Sequence, residues 1–278
     1  MIYKTQETIV GIAQQRALEH GDRNYITFLD DGEDKVLKLS YGELDQAARS
    51  VASWLQAKGL TKGDRALVLL PNSLEFVKVF FGCLYAGVLA VPLSHQLGAY
   101  RDTLLPNLRI SKPKVLISTS QISDFLKKRL ASDDPSFSDV EIISDKEIIA
   151  TTNSTYTDPG INASDPAYLQ FSSGSTGAPK GVIVGHSNIM ANMEQSRITG
   201  QWEEGNGTSL WLPLFHDFGL AAGLIGTLYF GGFVVLMTPV HFILKPMRWL
   251  RAMSKYRCGH SYAPPFAFDM CLRKSTPE

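Results

Sequence analysis

The sequence predicts an α/β fold built from layered, mostly parallel sheets with flanking helices. Two short runs, residues 66–70 and 88–91, are apolar without alternation, as strands covered on both faces are. Between them Phe76, Val77, Phe80, Phe81 and Leu84 recur at helical spacing, and this strand–helix–strand alternation repeats along the 278 residues. A third observation fixes the centre of the chain. Ser172-Ser173-Gly174-Ser175-Thr176-Gly177-Ala178-Pro179-Lys180-Gly181 is entered by the apolar-aromatic run 168–171 and left by the β-branched run 182–184. That pattern predicts strand, glycine-rich loop, strand.

In chain order, residues 7–20 place Ile9, Ile12, Ala13 and Ala17 on one face and stop at Gly21, an amphipathic helix with a glycine terminator. Residues 25–29 and 36–39 read as strands joined through the turn signal Asp30-Asp31-Gly32. Ser40 and Glu43 have capping-box spacing, and Leu44, Ala48, Val51 and Leu55 form the stripe of the helix that follows. Asn72 with Glu75 offers a second capping pair for the next helix, which meets Gly87. A weaker repeat follows, with a helix over 101–110 that contains Pro106, a strand at 115–118, a helix at 120–130 and a strand at 140–143. Residues 151–165, rich in Thr, Asn, Ser, Asp, Pro and Gly, read as a surface connection, so the expected division is 1–165 and 166–278. Beyond the loop come a helix at 186–197, a strand at 209–212, a glycine-rich apolar helix and a strand at 234–237. A helix led by Pro246, a strand at 260–263 and a helix around 266–272 complete the pattern.

Composition excludes several classes. Lysine plus arginine and aspartate plus glutamate both number 27, so no charge excess points to nucleic acid, an anionic membrane or an acidic tail. Cys83, Cys258 and Cys271 are widely spaced in apolar sequence, which fits buried free thiols in a reducing compartment, the cytoplasm. Residues 218–237 carry no charge, yet Gly231-Gly232 interrupts them. A buried helix, a turn and a buried strand fit better than a membrane span. His20, His95, His241 and His260 show no metal-ligand spacing, and no metal cage is predicted.

The loop suits polyphosphate. Glycines let backbone N–H groups approach an anion, hydroxyls add donors, and Lys180 supplies a point charge. It is not a Walker loop, because the lysine precedes glycine and a strand; a ligand-free Ser/Gly hairpin is the competing reading. His216-Asp217 stands at the end of a predicted buried strand, where open α/β sheets bind ligands. The pair reads equally as a substrate contact or as a capping Asp beside a satisfied histidine. His186, between strand and helix, reads better as a cap or packed imidazole than as a catalytic group. Residues 263–268 (Ala-Pro-Pro-Phe-Ala-Phe) could line an aliphatic pocket or begin an ordinary core helix.

Taken together, these residues resemble a known family. Residues 172–181 are similar to the phosphate-loop signature of adenylate-forming enzymes, the group of acyl-CoA synthetases, peptide-synthetase adenylation domains and luciferases. Residues 80–92, 211–220 and 263–268 resemble the corresponding segments of fatty acyl-AMP ligases, with Phe218 where those usually carry Met and Pro265 where they carry Asn. The resemblance implies the N-terminal part of the adenylate-forming fold and a two-step reaction. A fatty carboxylate attacks Mg-ATP to give acyl-AMP and pyrophosphate, and the acyl group passes to the phosphopantetheine thiol of an acyl carrier protein. Ser172, Ser173, Gly174, Ser175, Thr176, Gly177 and Lys180 match the loop that handles the β- and γ-phosphates. Lys180, Thr176 and His216 take catalytic roles in this reading, His216 near the acyl carboxylate with Asp217 beside it. It also implies that the adenine- and Mg²⁺-binding Glu segment, the ribose-binding Asp, the hinge and the lysine-bearing C-terminal domain lie beyond Glu278. The 278 residues are then an N-terminal fragment, not expected to complete adenylation alone. A fatty acyl-CoA synthetase fragment and a truncated, inactive nucleotide-binding homologue are the alternatives, and the acceptor-distinguishing insertion also lies past residue 278.

Overall fold

The computed structural model describes residues 6–96, 100–149, 155–172, 179–200 and 202–275. Helix α1 (Ile9–His20) starts at Thr8, whose hydroxyl accepts the Gly11 N–H at 3.0 Å. Its buried face holds Ile9, Val10, Ile12, Ala13 and Arg16. Arg16 thus takes a place on the stripe that the sequence gave to Ala17, because its guanidinium reaches inward to the Tyr229 carbonyl at 2.9 Å and to Glu204 at 3.2 Å. Strands β1 (Asn24–Leu29) and β2 (Val36–Ser40) form the expected antiparallel pair, and Asp31 Oδ1 accepts three backbone N–H groups of the turn. The capping box before α2 (Tyr41–Ala57) is present in both directions: Ser40 N–H to Glu43 at 2.7 Å and Glu43 N–H to Ser40 Oγ at 3.2 Å.

Then come β3 (Arg65–Leu69), α3 (Leu74–Ala86) and β4 (Leu89–Pro92), with Phe76, Val77, Phe80 and Phe81 of α3 wholly buried. Each such side chain contributes about 1.5–3 kcal/mol by leaving water. Where Pro106 weakened the helical signal, a π-helical turn (Tyr100–Leu104) runs into α4 (Leu105–Ser111), which places the proline in the first turn, where its missing N–H costs nothing. Next are β5 (Val115–Ser118), α5 (Ser120–Asp133), a 3₁₀ turn (Pro135–Phe137) and β6 (Glu141–Ser144). Helix α6 (Asp145–Ile149) was not expected, although Ser144 and Glu147 form a second capping box at its start. Strands β7 (Pro166–Ser172) and β8 (Lys180–Gly185) flank the central loop and lead into α7 (His186–Gly200).

The rest is β9 (Gly207–Leu210), a π-helix (Phe218–Ile225) continued by α8 (Gly226–Phe230), β10 (Phe233–Leu236), α9 (Pro239–Leu244), α10 (Met247–Tyr256), β11 (Cys258–Ser261) and α11 (Pro265–Lys274). The uncharged stretch is therefore helix, turn and buried strand as expected, and no described helix is long and apolar enough to cross a membrane. Short α9 was also unexpected; Thr238 caps it and Pro239 opens it.

Two compact units result, each with its own sheet. The first comprises Met1–Glu43, Asn72–Leu74 and Ile189–Glu278, and its strand order is β11-β9-β10-β1-β2, parallel except for β2. The second comprises Leu44–Pro71 and Glu75–Asn188, with the order β6-β5-β3-β4-β7-β8, parallel except for the β7–β8 hairpin. The units thus interleave along the chain, whereas the expected cut at residue 165 is sequential and falls within the second unit. The physical reason is strand pairing: β1 pairs with β10 some two hundred positions later, so the first sheet draws on both ends of the chain, whereas the second is made of the consecutive strands β3 to β8.

Close packing within the second unit gives a first prediction. A Cβ on Gly82 of α3 would lie 2.3 Å from Val51 Cβ on α2, which is backbone-fixed and cannot swing away. Gly82→Ala is expected to cost about 1–3 kcal/mol by overpacking. Adding Val51→Gly, which removes that Cβ, should recover part of that loss in a denaturant double-mutant cycle, and strictly additive losses would rule out the contact.

Candidate active site

Of the predicted site residues, the structure brings together two pairs, one in each unit. In the second unit, β7 and β8 are antiparallel and Ser172 is the register partner of Lys180. Both side chains are exposed. The ladder from Tyr168–Val184 to Ser172–Lys180 fixes where the loop leaves and re-enters the sheet, so Lys180 and Ser172 stand opposite each other at the loop mouth. Ser173, Gly174, Ser175, Thr176 and Gly177 lie outside the described residues.

At the end of β8, His186 is buried and its Nδ1 has no hydrogen-bond partner among the described residues. Burial pushes the imidazole down to about 4, against the opposing pull of Asp165; Lys62 adds to the depression. It is a neutral, packed ring, in keeping with the structural reading. Asn188, not His186, makes the side-chain cap here, accepting the Gly185 N–H at 2.9 Å.

In the first unit, β9 runs out into a loop that delivers His216 and Asp217. The His216 N–H closes a turn on the Pro213 carbonyl at 3.1 Å. Asp217 Oδ1 accepts the Phe218 N–H at 2.7 Å and lies 2.6 Å from His216 Nδ1. Asp217 therefore caps the π-helix, as one of the two readings held. His216 is not a satisfied buried histidine, because its side chain is 64 % exposed. Both residues line an open cavity of about 370 Å³ with Asn192, Phe218, Ala221 and Ala222. Three of these six lining residues are polar and three are apolar. Asn192, on α7, carried no signal in the sequence.

The π-helix is held by side-chain hydroxyls: Tyr25 Oη donates to the Leu224 carbonyl at 2.8 Å and Thr227 Oγ1 to the Gly223 carbonyl at 2.6 Å. Gly219 lets this helix meet the preceding loop, since a Cβ there would stand 2.3 Å from the Pro213 carbonyl oxygen. That obstacle is backbone, and Gly219→Ala must push the 213–217 segment aside. The expected result is a loss of about 1–3 kcal/mol in thermal or denaturant unfolding; unchanged stability would show that the loop yields freely.

The expected cap at Asn72 is not formed. Asn72 is buried, its Nδ2 donates to the Leu212 carbonyl at 2.9 Å and the Met237 carbonyl at 3.1 Å, and its Oδ1 accepts the Leu214 N–H at 2.9 Å. Those contacts engage the side chain away from its own helix. Residues 263–268 form a turn into α11 in which Ala267 is buried while Phe266 and Phe268 are about half exposed. Phe266 meets Trp211 edge-on at 6.2 Å and Phe268 meets Trp249 at 5.5 Å. The described cysteines are free thiols, and among the described residues no cluster of three or more His, Cys, Asp or Glu could hold a metal.

Parallel strands flanked by helices place the chain in the α/β class. Comparison with known proteins makes this specific: residues 13–278 match the AMP-binding enzyme family, and the chain belongs to it. It is 36 % identical over 275 residues to the medium-chain-fatty-acid–[acyl-carrier-protein] ligase JamA of Moorena producens, covering 98 % of this chain and 46 % of that protein. It is 34 % identical over 285 residues to the long-chain-fatty-acid–AMP ligase FadD26 of Mycobacterium bovis, covering 99 % and 48 %. Among solved structures, the Legionella pneumophila fatty acyl-adenylate ligase in complex with acyl adenylate and pyrophosphate superposes with a TM-score of 0.87 at 31 % identity, over 99 % of this chain and 47 % of that one. The chain thus spans about half the length of the relatives it matches.

Proposed function

We propose that this chain is the amino-terminal half of a cytoplasmic fatty acyl-AMP ligase that activates a fatty acid with ATP for transfer to an acyl carrier protein. The observation that carries the reading is the exposed Ser172–Lys180 pair at the mouth of the glycine-rich loop. In the first step a fatty carboxylate oxygen attacks the α-phosphorus; the bond to the β-phosphate oxygen breaks and pyrophosphate leaves. In the second, the phosphopantetheine thiol attacks the acyl carbonyl, the thioester forms, AMP departs and the thiol proton is released.

The chain's own residues act by binding and positioning. Lys180 neutralises charge on the leaving pyrophosphate, and Ser172 to Gly177 supply hydroxyl and N–H donors around it, Thr176 among them. His216 meets the reacting carboxylate in the cavity, while Phe218, Ala221 and Ala222 of the same lining accompany the apolar tail. Asp217 holds the helix start on which His216 depends. Mg²⁺ would enter bound to ATP and supply charge neutralisation on the phosphates; among the described residues no cluster of three or more His, Cys, Asp or Glu would hold it.

JamA, an acyl-carrier-protein ligase by name, supports this choice of acceptor. The test is fatty-acid-dependent pyrophosphate release by the full-length protein, followed by acyl transfer to holo carrier protein or to CoA. Release with transfer to the carrier is expected. No fatty-acid-dependent release would end the reading, and transfer to CoA alone would move it to an acyl-CoA synthetase. The 278 residues by themselves are expected to release none.

A further inference from the structure

We propose that Asn72 is a positioning residue for His216 and Asp217, a role that rests on the adenylating reading above. The parallel ladder between β9 and β10 has its last register pair at Leu210–Leu236, followed by the Met237 N–H to Leu210 carbonyl bond at 2.9 Å. Past that point the two strands diverge, and the loop that leaves β9 stays buried: Trp211, Leu212 and Leu214 are each under a tenth exposed. Buried backbone polar groups need partners, and here no strand supplies them. One side chain does. Asn72 Nδ2 bridges the Leu212 and Met237 carbonyls, one from each diverging strand, and Asn72 Oδ1 takes the Leu214 N–H.

A carboxamide offers two donors and an acceptor in one plane, and Asn72, only 5 % exposed, uses both functions against the loop. The clamp closes two residues before His216. From there the His216 N–H to Pro213 turn and the Asp217 cap carry the chain into the π-helix. Asn72 itself lines no part of the His216 cavity. It acts through the backbone, setting the height at which the imidazole leaves the sheet. The same sequence pattern that resembled a helix cap, Asn three residues before Glu, is thereby explained differently: the asparagine serves a loop some 140 positions downstream.

The experiment reads geometry and catalysis separately. In the full-length protein, Asn72→Ala and the same-sized Asn72→Asp, which keeps an acceptor but loses both donors, are expected to lower kcat for pyrophosphate release by about ten- to a hundredfold. KM for ATP should stay within about threefold, because the phosphate loop belongs to the other unit. Equal losses in kcat and ATP affinity would mark general unfolding and overturn the proposal. In parallel, the His216 ring resonances should shift in both variants while those of His20 and His260 do not; an unmoved His216 overturns it too. Should both variants fail to fold, the unaltered protein still decides, since the Leu214 amide must be protected from hydrogen exchange like a β9 ladder amide and not exchange like a surface loop. If the protein proves to adenylate nothing, the enzymatic reading falls, while the His216 shifts and Leu214 protection still judge the clamp.

Discussion

Lys180→Ala is expected to reduce kcat/KM for ATP in fatty-acid-dependent pyrophosphate release by about ten- to a hundredfold. A charge-assisted contact to phosphate contributes roughly 1.5–3 kcal/mol, and about 1.4 kcal/mol corresponds to each tenfold in rate. The loss should fall on ATP and not on the fatty acid, because Lys180 stands at the loop mouth on β8 and not at the His216 cavity. Its side chain is exposed. Removing an exposed lysine changes stability by less than about 0.5 kcal/mol, so a variant that melts with the wild type but fails with ATP isolates the phosphate role. Lys180→Arg keeps the charge in a planar fork and should recover part of the activity. Unchanged kinetics in Lys180→Ala would remove the lysine from the site.

The sequence made the buried strands legible because their apolar runs do not alternate: β3, β4 and β5 fall within a residue or two of expectation, and their side chains are almost wholly inaccessible. The capping box at Ser40 and Glu43 was readable for a different reason, since both partners lie within one turn. Where reading failed, the deciding partner was remote. Asn72 looked like a cap by spacing, but its hydrogen bonds go to Leu212, Leu214 and Met237. Arg16 sits on a buried stripe because a carbonyl at Tyr229 awaits it, which no local pattern announces. The interleaving of the two units escaped for the same cause, because sheet membership is set by pairing across the chain.

The site shows the same division. The His216-Asp217 pair was visible as a pair at a strand end; Asp217 caps as the structural reading expected, while His216 is exposed and lines the cavity where that reading expected a satisfied ring. Asn192 reaches that cavity from α7, and nothing in its neighbourhood distinguishes it from a surface asparagine. Local grammar therefore located the candidate segments, and tertiary pairing chose what supports them.

His186 supplies the second large effect, this time on stability. Its folded-state value is held down to about 4, chiefly because burial disfavours the charged ring, whereas an unfolded histidine titrates near ~6.5. The unfolded chain therefore binds a proton more readily than the native one, and acid favours unfolding. The sign follows directly: the contribution of the neutral ring is complete above about pH 6.5 and is lost as the pH falls towards about 4. A gap of that size corresponds to about 3 kcal/mol across the window, a large share of a typical domain's stability. Carboxylates begin to titrate in the same range, so the comparison must be with His186→Gln, which keeps a polar side chain without an ionisable ring. Denaturant unfolding from pH 7 to pH 4 should show the wild type losing more stability than the variant, with the two curves diverging below pH 6.5. Parallel curves would mean that the ring is protonated in the folded protein and that Asp165, whose charge pulls in that direction, outweighs burial.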